Sequence, residues 1–228
     1  MIQRDQHLYH EMLGRKKAII WDWNGTLLDD TALCISCMND LLAKRKLPLL
    51  DRIRYREIFT FPVKDYYLRA GFDFSKEQFE IPALEFISLY YKRLSQAILY
   101  PEASSLLTKL RKRGFVQAIL SAMEHDSLEN SLKEKGIDRF FDMITGINDH
   151  YAHSKLDIGK ELIRKLGFPP EQIILIGDTL HDLEVAQGLG VDVLLIANGH
   201  QSGGRLLQET SGVIENLGEL SRLFDKAI

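Results

Sequence analysis

Five short apolar runs punctuate the chain, each rich in β-branched residues and followed by turn residues. They are AIIWDW (Ala18 to Trp23), FVQAILS (Phe115 to Ser121), MITGI (Met143 to Ile147), IILIGD (Ile173 to Asp178) and VDVLLIAN (Val191 to Asn198). Runs this short and this continuously apolar predict strands covered on both faces, as in a parallel sheet. Between them apolar residues recur at helical spacing. The stretch Glu102 to Arg113 follows Pro101 and stops at Gly114, Asp126 to Lys135 stops at Gly136, and Ser154 to Leu166 stops at Gly167. Glycine just past the last turn is a common way for a helix to end. TLHDLEVAQGLG and, after Asn216, GELSRLFDKAI read as further helices, the last with an apolar stripe that packs on the core. Alternating strand and helix predict an α/β fold, a doubly wound parallel sheet of about five strands with right-handed crossovers.

One interval breaks this rhythm. About ninety residues separate the first run from the second, where a strand-helix-strand crossover needs only a few tens. The stretch from Thr31 to Tyr100 reads as helix throughout: DTALCISCMNDLLAKRK, RYREIF, VKDYYLRA and KEQFEIPALEFISLYYKRLSQA. The expected organisation is a core of residues 1–30 and 101–228 with an inserted all-helical cap of residues 31–100. Both ends of the insertion return to the sheet, so they form a two-stranded hinge.

Composition narrows the classes. A formal net charge of −3 and a pI near 6.2 give no basic excess for phosphate-backbone binding, so no nucleic-acid partner is expected. The opening MIQRDQHLYHEMLGRKK is polar and no long uncharged apolar run follows, which predicts a cytoplasmic protein without a membrane partner, monomer or homodimer. Cys34 and Cys37 form a lone CxxC on a helix, where spacing of three puts both on one apolar face. Reduced thiols packed in a core are the expectation, since zinc needs two more ligands.

The candidate chemistry lies at strand ends. Ligands of open α/β sheets bind beyond the carboxyl ends of the strands. If the first, second and fourth strands are neighbours, Asp22, Ser121 and Asp178 converge. Carboxylates crowded together raise one another's pKa unless a cation sits between them, and an oxygen-only set with room for water suits Mg2+. Asp182 lies one helical turn beyond Asp178, placed to act through water or through another ligand. Alone, Asp178 would read as a helix cap. Gly25 and Thr26 can turn backbone N–H groups toward an anion, Ser121 offers its hydroxyl together with the Ala122 amide, and Lys155 can neutralise an anion.

The ordered set WDWNGTLLDD, ILSA, HSKLD and ILIGDTLHD resembles the four motifs of the haloacid dehalogenase superfamily, in its phosphoglycolate phosphatase-like branch with a helical cap. The resemblance spans nearly the whole chain and implies a Rossmann-like core and a phosphatase of small phosphorylated metabolites that forms an aspartyl-phosphate. It implies Asp22 as nucleophile and metal ligand and the backbone carbonyl of Asn24 as a further ligand. Ser121 would bind phosphate, Lys155 would stabilise charge, and Asp178 would hold Mg2+ with support from Asp182. The departure is Asn24. The family usually has Asp there to protonate the leaving oxygen, and an amide cannot cycle a proton.

Three readings follow: a phosphomonoesterase slowed or restricted by Asn24, another hydrolase of the superfamily acting on haloacids or phosphonates, or a weakly catalytic phosphate-ligand binding module. A phosphonate hydrolase needs a cap lysine, and Lys44, Lys46, Lys64 and Lys76 are available. His181 and His125 are spare proton donors, though a structural or substrate-facing role is the simpler expectation for each. Arg56, Lys64 and Arg69 among aromatics suit a second anionic group on the substrate, although such charges usually sit on solvated faces. Asp149, His150 and His153 could frame a metal, although a loop leading into the Lys155 helix is the simpler account, and Gly199, Gly203 and Gly204 read as turns.

Overall fold

The computed structural model describes residues 6–147 and 155–227, so Asp149, His150, His153 and Ser154 lie outside the described residues. In chain order the first half comprises α1 (Gln6–Gly14), β1 (Ala18–Trp21), β2 (Leu28–Asp29), α2 (Thr31–Lys44), α3 (Arg52–Ile58), α4 (Val63–Ala70), α5 (Glu80–Arg93) and β3 (Ile98–Leu99). Next come α6 (Ala103–Lys112), β4 (Val116–Glu124), α7 (His125–Glu134), β5 (Met143–Ile147) and α8 (Lys155–Leu166). The last stretch holds β6 (Ile173–Gly177), α9 (Leu180–Leu189), β7 (Asp192–Ile196), α10 (Gly203–Leu206), β8 (Val213–Ile214) and α11 (Leu217–Ala227).

Six of these strands form one parallel sheet in the order β5-β4-β1-β6-β7-β8. Strand β1 therefore lies between β4 and β6, the neighbourhood on which the convergence of Asp22, Ser121 and Asp178 depends. The alternation of side chains along each strand feeds two cores. Ile19, Trp21, Ile119 and Ile176 join the layer that α11 closes through Leu220 and Phe224, whereas Ile20, Leu120 and Leu175 join Leu162 and Val185 from α8 and α9 on the opposite face. Both layers are buried: Ile19 and Ile119 on one face and Ile20, Leu120 and Leu175 on the other are fully buried. Truncating any one of them to Ala costs about 2–5 kcal/mol.

Four corrections to the sequence reading have local causes. The sixth strand, β8, has only two residues, too few to register as a periodic run. Helix α1, in the stretch read only as polar, packs against α11 and buries Leu13. Strand β4 runs past Ser121 to Glu124, and α7 then starts at His125 because the Glu124 carboxylate accepts from the backbone N–H of Asp126 at 3.0 Å and of Ser127 at 2.8 Å. Gly203, expected in a turn, opens α10 behind the Ser202 cap.

The long interval folds into four helices, α2 to α5, which leave and rejoin the sheet through a two-stranded antiparallel ribbon in which Leu28 pairs with Leu99 and Asp29 with Ile98. Cys34 and Cys37 are free thiols buried on one face of α2, and burial holds both above the ordinary thiol pKa. No described helix is long and apolar enough to cross a membrane.

Candidate active site

Register places the reactive groups. Asp22 follows β1 by one residue and Asp178 follows β6 by one residue, while the ladder continues through a 2.8 Å bond from Asp22 N–H to the Ile176 carbonyl. Thr26 Oγ1 lies 3.3 Å from Asp22 Oδ2 and 3.2 Å from Asp178 Oδ1, so its single proton is shared between the two carboxylates. Lys155, the first described residue of α8, is 5% exposed and donates from Nζ to Asp22 Oδ1 at 2.5 Å and to Asp182 Oδ1 at 2.7 Å. Asp182 in turn accepts from Thr179 N–H at 3.0 Å and from the Thr179 hydroxyl at 2.7 Å, closing a capping box at the start of α9. Thr179, not Asp178, is thus the helix cap, which leaves the Asp178 carboxylate free for the cluster. Ser121 and Ala122 line the same cavity.

Two expectations change. Gly25 N–H is engaged by the Leu28 carbonyl at 2.9 Å and by Asp30 Oδ1 at 3.0 Å, and Thr26 N–H by the Trp23 carbonyl at 3.3 Å. These amides close the local turn and do not face an incoming anion. Gly25 is instead required by shape: at φ +75° it sits where a Cβ would collide with the Asp178 carboxylate and with His200. Gly199, expected as a simple turn, presses on the same group, with a Cβ there falling 2.5 Å from Asp178 Cβ.

Sequence reasoning missed the residues that hold Asn24. Its amide donates to Asp30 Oδ2 at 2.9 Å and to the Tyr90 hydroxyl at 2.6 Å, and Tyr90 donates to Asp30 at 2.7 Å. His200 Nε2 lies 3.2 Å from Asp30 Oδ1, His200 N–H donates to Asp178 Oδ2 at 2.6 Å, and its Nδ1 meets the Tyr55 hydroxyl at 2.9 Å. Asp30 was visible as the last residue of WDWNGTLLDD. His200 carried no signal, because it comes from the loop after β7.

The charges are set by burial and partners. Burial pushes Asp22 up to about 6, with Lys155 pulling back and Asp182 adding to the rise. Burial pushes Asp178 up to about 8, His200 opposing and Asp22 reinforcing. Burial disfavours the charge of Lys155, but Asp182 and Asp22 outweigh it and hold the ammonium above the ordinary lysine value. Burial likewise opposes charge on His200 and Asp30. Their contact prevails, holding His200 up at about 9 and Asp30 below the usual carboxylate range.

Single ligand atoms of Asp22, Asp178 and Asp182 lie within 4.8 Å of one another. The set is all oxygen, which suits a hard cation such as Mg2+, and the raised Asp22 and Asp178 mark carboxylate charge that a dication would offset. The second cluster, Asp30, Cys34 and His200, has the same span but is closed on itself by the Asp30–His200 pair.

A cavity of about 240 Å³ opens over the cluster, floored by the strand ends and roofed by the inserted helices. None of Arg56, Lys64 and Arg69 lines it, nor do Lys44, Lys46 and Lys76, so Lys155 is the one lysine on its wall among the described residues. His181 is on the wall, stacked on Phe61 with ring centres 4.6 Å apart. His125 lies elsewhere, accepting from Gly146 N–H at 3.3 Å.

The family model described as haloacid dehalogenase-like hydrolase matches residues 19–196. An N-acetylmuramic acid 6-phosphate phosphatase of Pseudomonas aeruginosa is 25% identical over 94% of this chain and 97% of its own length. A phosphoglycolate phosphatase of Nitrosococcus oceani is 23% identical over 95% of this chain and 100% of its own. Among solved structures, a haloacid dehalogenase-like family hydrolase from Streptococcus pneumoniae superposes with a TM-score of 0.78 at 24% identity, covering 92% of this chain and 99% of that one.

Proposed function

The chain belongs to the haloacid dehalogenase-like hydrolases, and from that premise we propose that it is a Mg2+-dependent phosphatase of small phosphate monoesters, with Asp22 as nucleophile. The observation that carries the reading is the pairing of Asp22 with Asp178 across Thr26, with Lys155 bound to Asp22. Phosphatase-named relatives along the full chain support it.

In this reading an Asp22 carboxylate oxygen attacks phosphorus and the P–O bond to the leaving alcohol breaks, giving a phosphoaspartyl group. Water then attacks phosphorus, releasing phosphate and restoring the carboxylate. Asp22, the Asn24 carbonyl and Asp178 would hold Mg2+, which supplies positive charge to phosphate oxygens and offsets the crowded carboxylates. Lys155 orients Asp22, and Asp182 orients Lys155. Ser121 and Ala122 flank the phosphate. Residues 31–100 act as a cap that restricts water and shapes the leaving-group site.

The leaving oxygen needs a proton, and Asn24 cannot give one. Losing a general acid typically costs about 10²- to 10⁴-fold in rate, so turnover is expected to be fast for acyl phosphates and slow for alkyl phosphates. Purified protein is to be assayed with Mg2+ or EDTA on acetyl phosphate, phosphoglycolate and N-acetylmuramic acid 6-phosphate, beside Asp22→Asn. We expect Mg2+-dependent phosphate release, its loss in Asp22→Asn, and an acid-stable phosphate on Asp22 after rapid quench. Turnover that survives Asp22→Asn sinks the nucleophile. Asn24 also favours a second reading, a phosphate-ligand binding protein, which predicts saturable binding with Mg2+ but no acetyl phosphate turnover.

A further inference from the structure

The wall of the cavity is divided by chemistry. Among the described residues its floor carries every charged group: Asp22, Asp30, Asp178, Asp182, Lys155 and His200. Its roof, contributed by the inserted helices, carries none, being built from rings such as Phe59, Phe61, Tyr66, Tyr67, Phe86 and Tyr91. The rings are ordered against one another. Phe59 meets Tyr66 edge-on at 5.2 Å, Tyr55 meets Tyr66 edge-on at 5.7 Å, and Phe61 stacks on His181 at 4.6 Å with an interplanar angle of 28°.

The cations that a carboxylate-bearing substrate would need are turned away. Arg56 donates to the Ala197 carbonyl and, at 2.8 Å, to the Gln201 carbonyl. Arg205 donates to the Phe59 carbonyl, Lys64 lies over the Phe74 ring at 5.8 Å, and Arg69 is exposed. On the floor Lys155 is committed to Asp22 and Asp182, and His200 to Asp30. An anionic leaving group would be desolvated against aromatic faces with no counter-charge from the described residues. Tyrosine hydroxyls break the apolar roof, those of Tyr55 and Tyr90 being engaged by His200 and by Asn24 and Asp30. The Tyr66 hydroxyl is buried without a hydrogen-bond partner among the described residues, on a residue 2% exposed, and a buried unpaired hydroxyl is costly unless a ligand satisfies it.

Resting on the phosphatase reading, we propose that this site selects phosphate monoesters of an uncharged, flat-ringed alcohol, the ring lying among the roof aromatics and one hydrogen-bonding substituent meeting Tyr66 Oη. The expectation of a second anionic group read by Arg56, Lys64 and Arg69 gives way to this one. The cavity of about 240 Å³ suits one ring on a short arm, and offset or edge-on ring pairs supply the specificity.

The test compares benzyl phosphate, ethyl phosphate and phosphoglycolate, all with alkoxide leaving groups, so that the missing proton donor handicaps each. Benzyl phosphate is expected to exceed both others in kcat/KM by about 30-fold, and Phe61→Ala to raise KM for benzyl phosphate more than for acetyl phosphate. Benzyl phosphate bearing a 3- or 4-hydroxymethyl group reads Tyr66: one isomer should gain about fivefold over benzyl phosphate in the wild type and lose that gain in Tyr66→Phe. Binding of benzylphosphonate against methylphosphonate by calorimetry with Mg2+ reads the ring without turnover, with about tenfold tighter binding expected. No turnover of acetyl phosphate would overturn the phosphatase reading while the phosphonate comparison still judges the ring. Equal or better use of phosphoglycolate or ethyl phosphate, or equal phosphonate affinities, overturns the ring selectivity and leaves the phosphatase reading standing. A hydroxymethyl gain that persists in Tyr66→Phe, or its absence in both isomers, overturns the role of Tyr66.

Discussion

Asn24 is pinned by two partners, Asp30 Oδ2 at 2.9 Å and the Tyr90 hydroxyl at 2.6 Å, so replacing its amide by a carboxylate sets two acids against each other. Carboxylates that share a site cannot both ionise, and one keeps a proton at neutral pH. Asn24→Asp should therefore introduce the missing acid and, at once, remove a donor to a buried carboxylate. We expect ethyl phosphate turnover to rise by about 10²-fold, acetyl phosphate turnover to change little, and stability to fall by about 1–3 kcal/mol. Parallel kinetics and denaturant titration check this, and an unchanged ethyl phosphate rate rejects the proton-donor account of position 24. A second substitution tests shape. Gly199→Ala drives a Cβ to 2.5 Å from Asp178 Cβ, and we expect loss of Mg2+ binding by calorimetry together with at least about 10²-fold lower turnover. At this scale the sequence displayed the groups at strand ends, Asp22 and Asp178, because a strand projects its last residue to a predictable place. It hid His200 and the Asp30 network, which depend on a loop folding back from about 170 residues downstream.

The contact between α3 and the loop after β7 joins the inserted helices to the core in addition to the β2–β3 ribbon. Tyr55 meets His200 at 2.9 Å, Arg56 donates to the Gln201 carbonyl at 2.8 Å, and the Gln201 side chain donates to the Phe59 carbonyl at 3.0 Å. The ribbon is slight by comparison, with two paired residues per strand. Hydrogen bonds from a charged group contribute about 1.5–3 kcal/mol each, so Arg56→Ala should shift the balance toward an open form by about 10-fold or more. Amide exchange of residues 52–59 is expected to quicken while that of β1 and β6 is unchanged, and exchange that stays slow in α3 rejects this contact as a latch. The elements themselves were legible wherever periodicity ran long enough. The five strand runs and the helical interval each match an observed element, since buried strands and capped helices leave several consecutive marks. Strands β3 and β8, of two residues each, leave none, and their pairing is decided by neighbours already in place.

Across the whole molecule, the parallel sheet gathers carboxylates from the ends of β1 and β6 and from α9 into one buried site, and that concentration links metal, pH and stability. Asp22 at about 6 and Asp178 at about 8 both stand above the ordinary carboxylate value of 3.8. The metal-free fold thus keeps protons that the unfolded chain releases near pH 4, and its stability falls as pH rises from there through 6 and on to 8. Asp182 and Asp30, held low by Lys155 and His200 against their burial, contribute in the opposite sense and only at acid pH. A dication held there would bind the ionised carboxylates, so it would have to displace the retained protons. Each proton that must be displaced weakens apparent Mg2+ affinity by up to about tenfold per pH unit below its pKa. The rise in melting temperature produced by a fixed Mg2+ concentration should therefore be larger at pH 8 than at pH 6 and should level off above 8, since ligation stabilises in proportion to the logarithm of affinity. Asp178→Asn should abolish most of that rise and flatten its pH dependence. Equal Mg2+-induced shifts at pH 6 and pH 8 in the unaltered protein would mean that Asp22 and Asp178 are not the groups that receive the ion.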